Sequence, residues 1–190
     1  MSNHAIRMGV VSKCGVVCYV PKYKNRFLAE SIHTVECFEC KGGKKLWEQK
    51  NHNVCTTEGI NSLLNIMFHG ATQIGTWYVA IFSTNYTPLI ANTYAVPGYT
   101  ESTVYDEATR PAFVEAAATA LVVTNTANKA VFTMNDTATI YGSALVSDST
   151  KGDVAASGAV LYCSSQFDYS QGVVAGNVLN VTIEITGADV

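Results

Sequence analysis

The chain has 190 residues, which suits one ordinary domain with a tail and is short for two domains of usual size. Charged residues make up 14% of it, well below the roughly 25% typical of soluble domains, while 48% are apolar. Core-forming residues are therefore plentiful, and the low charge favours a surface partly covered by partners. No run of about 18 apolar residues occurs, so we expect no membrane span.

The net charge of −3 conceals an uneven distribution along the chain. Residues 1–50 carry nine Lys and Arg against four Glu, whereas residues 51–190 carry three Lys and Arg against eleven acidic residues. A basic head on an acidic body is typical of an arm that binds an acidic surface, and a solvated tail is the alternative. Binding to nucleic acid is not expected, because the basic residues are scattered and the rest of the chain is acidic.

The first 33 residues show no sustained hydrophobic periodicity. We therefore predict that residues 1–33 form a basic arm whose order depends on what it contacts. Residues 34–40 then alternate and are rich in Val, Phe and Cys, and residues 45–50 form a second candidate strand. The intervening Lys41-Gly42-Gly43-Lys44 can supply the positive φ angles of a tight turn, which predicts a β-hairpin.

One amphipathic helix is predicted at about residues 57–69. Thr56 or Thr57 can cap it, and Glu58 suits the positive end of its dipole. Gly70 stands where a left-handed stop is expected. Apolar residues recur at helical spacing along one face: Ile60, Leu63, Leu64, Met67 and Phe68.

From residue 76 onward the hydrophobic period changes to two. Residues 76–82 are apolar on both faces, so we predict a central strand there. Strands without intervening helices favour a mainly β fold, an antiparallel β-sandwich or jelly roll, over residues 34–190. Beyond a long connection, the remaining candidate strands are residues 111–117, 129–134, 139–146, 158–167 and 178–186.

The common motifs of hydrolases and phosphate-binding proteins are missing from the sequence. Asp106 and Glu107 lie beside Arg110, which indicates an ion pair or a turn clamp rather than a glycosidase site. We therefore expect no catalytic residues, no cofactor and no enzymatic activity. The four histidines are scattered and are predicted to be surface or capping residues: His4, His33, His52 and His69.

Six cysteines are present and no secretory signal is evident, so we expect folding in a reducing cytoplasm with free thiols. A zinc site is the alternative: Cys37 and Cys40 precede two glycines as in a zinc knuckle, and Cys14 and Cys18 could complete the ligand set of a small zinc-dependent regulator. The odd spacing of Cys37 and Cys40 on one strand would turn their sulfurs to opposite faces. Buried, inert thiols are therefore the favoured interpretation.

Tyrosines crowd the connection at residues 83–105. Loop tyrosines bring contact area and a hydroxyl at low entropic cost, so they can form a surface that binds sugars or proteins. This interpretation favours a tail or head-fibre protein that contacts host glycans. A lid packed over an open end of the sandwich is the equal alternative. The four tyrosines are Tyr86, Tyr94, Tyr99 and Tyr105.

Several multi-residue motifs occur together at a characteristic spacing between about residues 34 and 187. They are Leu46-Trp47, Asn51-His52-Asn53, Thr57-Glu58-Gly59-Ile60-Asn61, Leu63-Leu64, Gly70, Thr76-Trp77-Tyr78-Val79-Ala80-Ile81-Phe82, Tyr105, Glu107-Ala108-Thr109-Arg110-Pro111, Asn125, Asn128-Lys129-Ala130, Phe132, Tyr141-Gly142, Gly176-Asn177 and Leu179. In this combination the chain resembles the jelly-roll cement, or decoration, proteins that lock the capsids of short-tailed bacteriophages. The arm lies outside the family pattern, and Cys55 replaces a small aliphatic residue.

The resemblance implies a virion protein, made in the host cytoplasm, that sits on the outer capsid surface. Its partners would be the major capsid protein and itself, as a homodimer or homotrimer, with no role for nucleic acid or membrane. The arm would order only on the shell. Extended at about 3.3 Å per residue, its 33 residues reach on the order of 100 Å, enough to contact a neighbouring capsomer. Its cations are the candidate capsid contacts: Arg7, Lys13, Lys22, Lys24 and Arg26.

Overall fold

The computed structural model describes residues 27–189. Within them the chain forms ten strands and one helix, and no helix there has the length and hydrophobicity needed to cross a lipid bilayer. The elements in chain order are β1 (Phe27–Phe38), β2 (Lys45–His52), β3 (Val54–Cys55), α1 (Thr57–Phe68), β4 (Trp77–Phe82), β5 (Ala112–Phe113), β6 (Val122–Thr124), β7 (Ala130–Thr133), β8 (Ala138–Val146), β9 (Leu161–Val173) and β10 (Val178–Asp189).

The strands form two antiparallel sheets of five strands each. Sheet A has the order β2-β1-β10-β6, with β7 also paired to β10. Sheet B has the order β3-β9-β8-β4-β5. Buried residues of both sheets join in one shared core, so the sheets pack face to face. The mainly β, antiparallel fold with a single helix in the described region is confirmed, while jelly-roll connectivity stays a prediction.

The core follows the alternation of side chains along the strands. In sheet A, Val35 of β1 and Val181 of β10 are fully buried, and in sheet B Ile81 of β4 is also fully buried. The outer face of β4 is covered as well, because Ala80 packs in a second cluster with Tyr94. Burial on both faces confirms the prediction of a central strand, which lies between β8 and β5.

The predicted hairpin is formed by β1 and β2. Gly42 has a φ angle of +76°, a left-handed conformation that costs glycine little. The backbone N–H of Glu39 donates to the carbonyl of Lys44 at 3.0 Å and closes the turn. Two adjacent glycines in a tight connection were therefore a reliable signal of this hairpin.

The boundary predicted between arm and domain, at residues 33 and 34, is wrong. Strand β1 already begins at Phe27, and its first half pairs with the end of β10. Ser31 and His33 of β1 face the core and are buried but polar. Because two successive inward positions are polar, the sequence lacked the apolar alternation that marks a strand. At most residues 1–26 are left for the predicted arm, and these lie outside the described residues.

Helix α1 begins where the capping residues place it. The side chain of Thr56 accepts a hydrogen bond from the backbone N–H of Gly59 at 2.9 Å. The Glu58 carboxylate accepts hydrogen bonds from the backbone N–H groups of Tyr94 at 2.8 Å and Leu161 at 2.7 Å. These contacts fix the first turn of the helix on sheet B and on the long connection.

The apolar stripe of α1 is largely not buried, in contrast to the usual behaviour of an amphipathic helix. Gly59 is the only buried residue of the helix. Met67 is 64% exposed, Phe68 is 82% exposed, and Leu64 is also exposed. The second half of α1 therefore presents an apolar face to its surroundings.

Candidate interaction surface

His33 lies at the centre of a buried polar cluster between the sheets. Its Nδ1 lies 2.8 Å from Ser143 Oγ, and its Nε2 lies 3.4 Å from Cys163 Sγ. The expectation that His33 is a surface or capping residue is wrong, because both ring nitrogens find partners inside the core. Ser31 Oγ also approaches the thiol, at 3.5 Å.

This cluster pairs a thiol with an imidazole but does not have the electrostatics of a catalytic dyad. Desolvation lowers the pKa of His33 to about 3, and desolvation also raises the pKa of the Cys163 thiol far above its ordinary value. A nucleophilic cysteine needs the opposite shifts, a thiolate beside a protonated imidazole, together with access to substrate. The cluster therefore serves to satisfy buried polar groups.

Arg110 joins the long connection after β4 to the loop between β8 and β9. Its guanidinium makes two hydrogen bonds to the Glu101 carboxylate, from Nε to Oε1 at 2.9 Å and from Nη2 to Oε2 at 2.6 Å. It also donates to the carbonyl oxygens of Asp148 at 2.9 Å and Asp153 at 2.8 Å, and to Tyr94 Oη at 3.0 Å. We call these five residues the arginine clamp.

The ion-pair partner of Arg110 is Glu101, nine residues earlier, and not one of the neighbouring acids. Glu107 instead accepts hydrogen bonds from the backbone N–H of Thr133 at 3.1 Å. Asp106 is exposed. The predicted structural role of Arg110 is thus confirmed, but the predicted carboxylate partners, Asp106 and Glu107, are wrong.

The four tyrosines of the long connection turn inward to different degrees. Tyr94 and Tyr105 are buried, so the hypothesis that they form a contact surface is wrong for these two. Tyr105 packs edge-on against Phe132, and Tyr99 stacks on Phe82 with ring centroids 4.6 Å apart. Tyr99 and Tyr86 are half-buried. The connection is therefore a lid over the outer face of sheet B.

The cysteine candidates for zinc do not form a cluster where the structure describes them. Cys37 is buried in β1, whereas Cys40 is exposed in the hairpin turn. Cys14 and Cys18 lie outside the described residues. Within residues 27–189 no group of three or more His, Cys, Asp or Glu side chains is arranged to hold a metal ion. Burial raises the pKa of the Cys37 thiol to about 11, as for an inert core cysteine.

The boundary at Phe27 sharpens the charge asymmetry. Residues 1–26 contain five Lys and Arg and no acidic residue, a balance of +5, whereas residues 27–190 contain seven Lys and Arg against fifteen acidic residues, a balance of −8. All the predicted capsid contacts lie outside the described residues: Arg7, Lys13, Lys22, Lys24 and Arg26.

A groove of about 450 Å³ opens between α1 and the edges of the two sheets. We call it the apolar groove, because its lining is mostly aliphatic and aromatic and its one charged residue is Glu115. The groove was not predictable from the sequence, since its walls come from segments far apart in the chain. The exposed stripe of α1 was the only local signal. Residues that line it include Leu63, Ile66, Trp77, Phe113, Val123 and Ile185.

A strained turn stands at the rim of the apolar groove. Ala120 and Leu121 have φ angles of +50° and +66°, and hydrogen bonds of 3.0 Å in both directions join Thr119 and Val122 around them. Two successive left-handed residues make the tight hairpin turn that usually contains Asn-Gly. Leu121 lines the groove and is nevertheless 70% exposed. The turn thus holds an apolar side chain in an unfavourable backbone conformation beside an open apolar surface.

Comparisons with known proteins do not place the chain in a family. No protein-family model matches it, and no curated protein matches it significantly.

Proposed function

We propose that the protein is a structural component of a phage virion, which decorates the capsid and stabilises it by binding across joints between major capsid protein subunits. The observation that supports this most directly concerns the motifs on which the resemblance to cement proteins rests. Several residues of these motifs hold the domain together through hydrogen bonds and close packing. The surfaces that these motifs do not use, described below, suit contact with other proteins.

Two asparagines of these motifs brace strand β10 and the turn that leads into it. Asn125 donates from Nδ2 to the carbonyl of Val181 at 3.0 Å and accepts from the N–H of Ile183 at 2.7 Å. Asn177 accepts from the N–H of Val174 at 2.9 Å and donates to the carbonyl of Glu39 at 3.3 Å. Each amide side chain replaces a backbone partner that the neighbouring strands do not supply.

Two other motifs fix the connections outside the sheets. Gly59 packs so closely that an added Cβ would lie 2.5 Å from the carbonyl oxygen of Tyr162. Arg110 forms the arginine clamp, and its side chain is only 3% exposed. Such residues make a rigid body, which is what a protein wedged into a capsid joint requires.

The two candidate contact surfaces differ in chemistry, one being basic and the other apolar. The basic residues 1–26 suit an acidic surface, and the apolar face of α1 suits a hydrophobic partner. A standard interface of about 1,600 Å² can give anything from micromolar to picomolar affinity, so many modest contacts suffice. Contact with further copies would add to this through effective concentration.

The alternative of a fibre protein that binds host glycans through the tyrosine-rich connection is less well supported. Its contact surface would need Tyr94 and Tyr105, which are buried. Copy number separates the two proposals. Quantitative mass spectrometry of purified particles should find hundreds of copies for a decoration protein, and a handful of copies would contradict the proposal.

The role of the basic arm can be tested with matched variants. We expect K22Q/K24Q to weaken binding to particles that lack the protein and to reduce its salt dependence, because fewer charges are screened. The control K41Q/K44Q changes the same number of charges in the exposed hairpin turn. Equal binding by the arm variant and the unmodified protein would contradict an electrostatic role for the arm.

A further inference from the structure

The apolar groove is an open surface that the described residues leave uncovered. Its walls include half-buried Leu63 and Trp77, and Met67 at its edge is mostly exposed. Exposed apolar surface of this kind usually marks a contact site. The strained turn at Ala120 and Leu121 adds a second observation, since it holds a leucine at the rim.

A segment of the same chain has the composition to fill this groove. Nine of the thirteen residues 8–20 are apolar, five of them valine, and Lys13 is the only charged one. Among the described residues that line the groove, Glu115 is in turn the only charged one. A largely apolar segment with one cation therefore matches a largely apolar groove with one carboxylate.

The position at which the chain enters the domain makes this contact possible. Ala29 of β1 lines the groove, so residues just before it emerge at its rim. Residues 21–26 lie between this segment and the start of β1 at Phe27, and the seven steps from position 20 to Phe27 can span about 23 Å when extended at about 3.3 Å each. The chain can therefore turn back and lay residues 8–20 along the groove without any rearrangement of the domain.

We propose that residues 8–20 bind in the apolar groove of their own chain. The inference does not depend on the capsid role. The expectation of order only on the shell then applies to the parts of the arm outside residues 8–20. These parts include the cations Lys22, Lys24 and Arg26. The basic part would then remain available to a partner while the apolar part is shielded.

Site-specific photo-cross-linking of the isolated full chain tests the proposal. A benzoylphenylalanine placed at Leu121 lies at the rim of the groove, and one placed at Tyr169, which is exposed and does not line the groove, is the matched control. We expect the probe at Leu121 to attach to residues 8–20 within a single chain, at least tenfold more than the control probe. Attachment between two chains, to a co-purified small molecule or to no arm residue would overturn the proposal.

A second pair of variants separates apolar docking from unspecific proximity. V16D/V17D places two charges in the segment and should reduce the cross-link from Leu121 at least tenfold. S2D/N3D adds the same charges outside the segment and should leave the yield within about twofold. An equal loss in both variants would show that charge on the arm, and not apolar docking, controls the contact.

Discussion

The arginine clamp is expected to account for a large part of the stability of the domain. In the variant R110M the Glu101 carboxylate, 6% exposed, loses its counter-ion, and the Tyr94 hydroxyl and two backbone carbonyl oxygens lose donors. Breaking a buried ion pair by removing one partner usually costs about 3–5 kcal/mol. For a domain of this size that loss lowers Tm by roughly 6–20 °C. No discount for solvent screening is needed, because both side chains are buried.

Urea unfolding followed by circular dichroism measures this loss. The double variant E101Q/R110M should be more stable than R110M, because it leaves no unpaired buried charge. The exposed pair of Lys45 and Glu48 provides the control, and K45M should leave the unfolding midpoint unchanged. A loss below about 1 kcal/mol in R110M would refute the reasoning, since it would mean that the loops are held without the clamp.

Three further predictions concern buried groups. The folded-state pKa of His33, about 3, is below its unfolded value of about 6.5, so between these values the unfolded chain binds a proton that the folded chain does not. The contribution of neutral His33 to stability is therefore fully present above pH 6.5, and the free energy of unfolding should fall by about 1 kcal/mol per pH unit from there towards pH 3. Urea titrations at several pH values measure this slope, and the variant H33F should flatten it. The variant G59A should lose about 1–3 kcal/mol in thermal unfolding through its clash with strand β9, whereas G75A, which meets no atom within 4 Å, should not. In the folded protein a maleimide should modify exposed Cys40 and spare Cys163 until the chain is unfolded, as peptide mass spectrometry can show. A flat pH profile, an unchanged G59A or rapid labelling of Cys163 would each contradict the packing described.

Parts of the fold that depend on local signals were predictable. Gly42 marks the hairpin turn, and Thr56 with Glu58 marks the start of α1, because turns and helix caps are decided by residues a few positions apart. The central strand β4 was equally clear, since an unbroken apolar run between turn residues is typical of a strand buried on both faces. The short strands β3 and β6 gave no comparable pattern.

Features that depend on distant partners were not predictable. Ser31 and His33 were assigned to the predicted arm because the thiol that both approach, Cys163, lies about 130 positions away. The carboxylate that pairs with Arg110 could not be chosen by adjacency, because the loop folds back to bring Glu101 to it. The apolar groove has the same origin, as its walls meet only after both sheets have assembled.

The pairing of β1 with β10 has a consequence for biosynthesis. Phe38 lies opposite Val178, so the central ladder of sheet A joins segments made 140 residues apart. A nascent chain therefore exposes one edge of β1 to other molecules until translation has passed β10. Contacts of such long sequence separation slow folding and favour exchange of strands between chains in crowded conditions. Slow translation of residues 39–177, or high expression, should thus increase aggregation without changing the stability of the finished molecule.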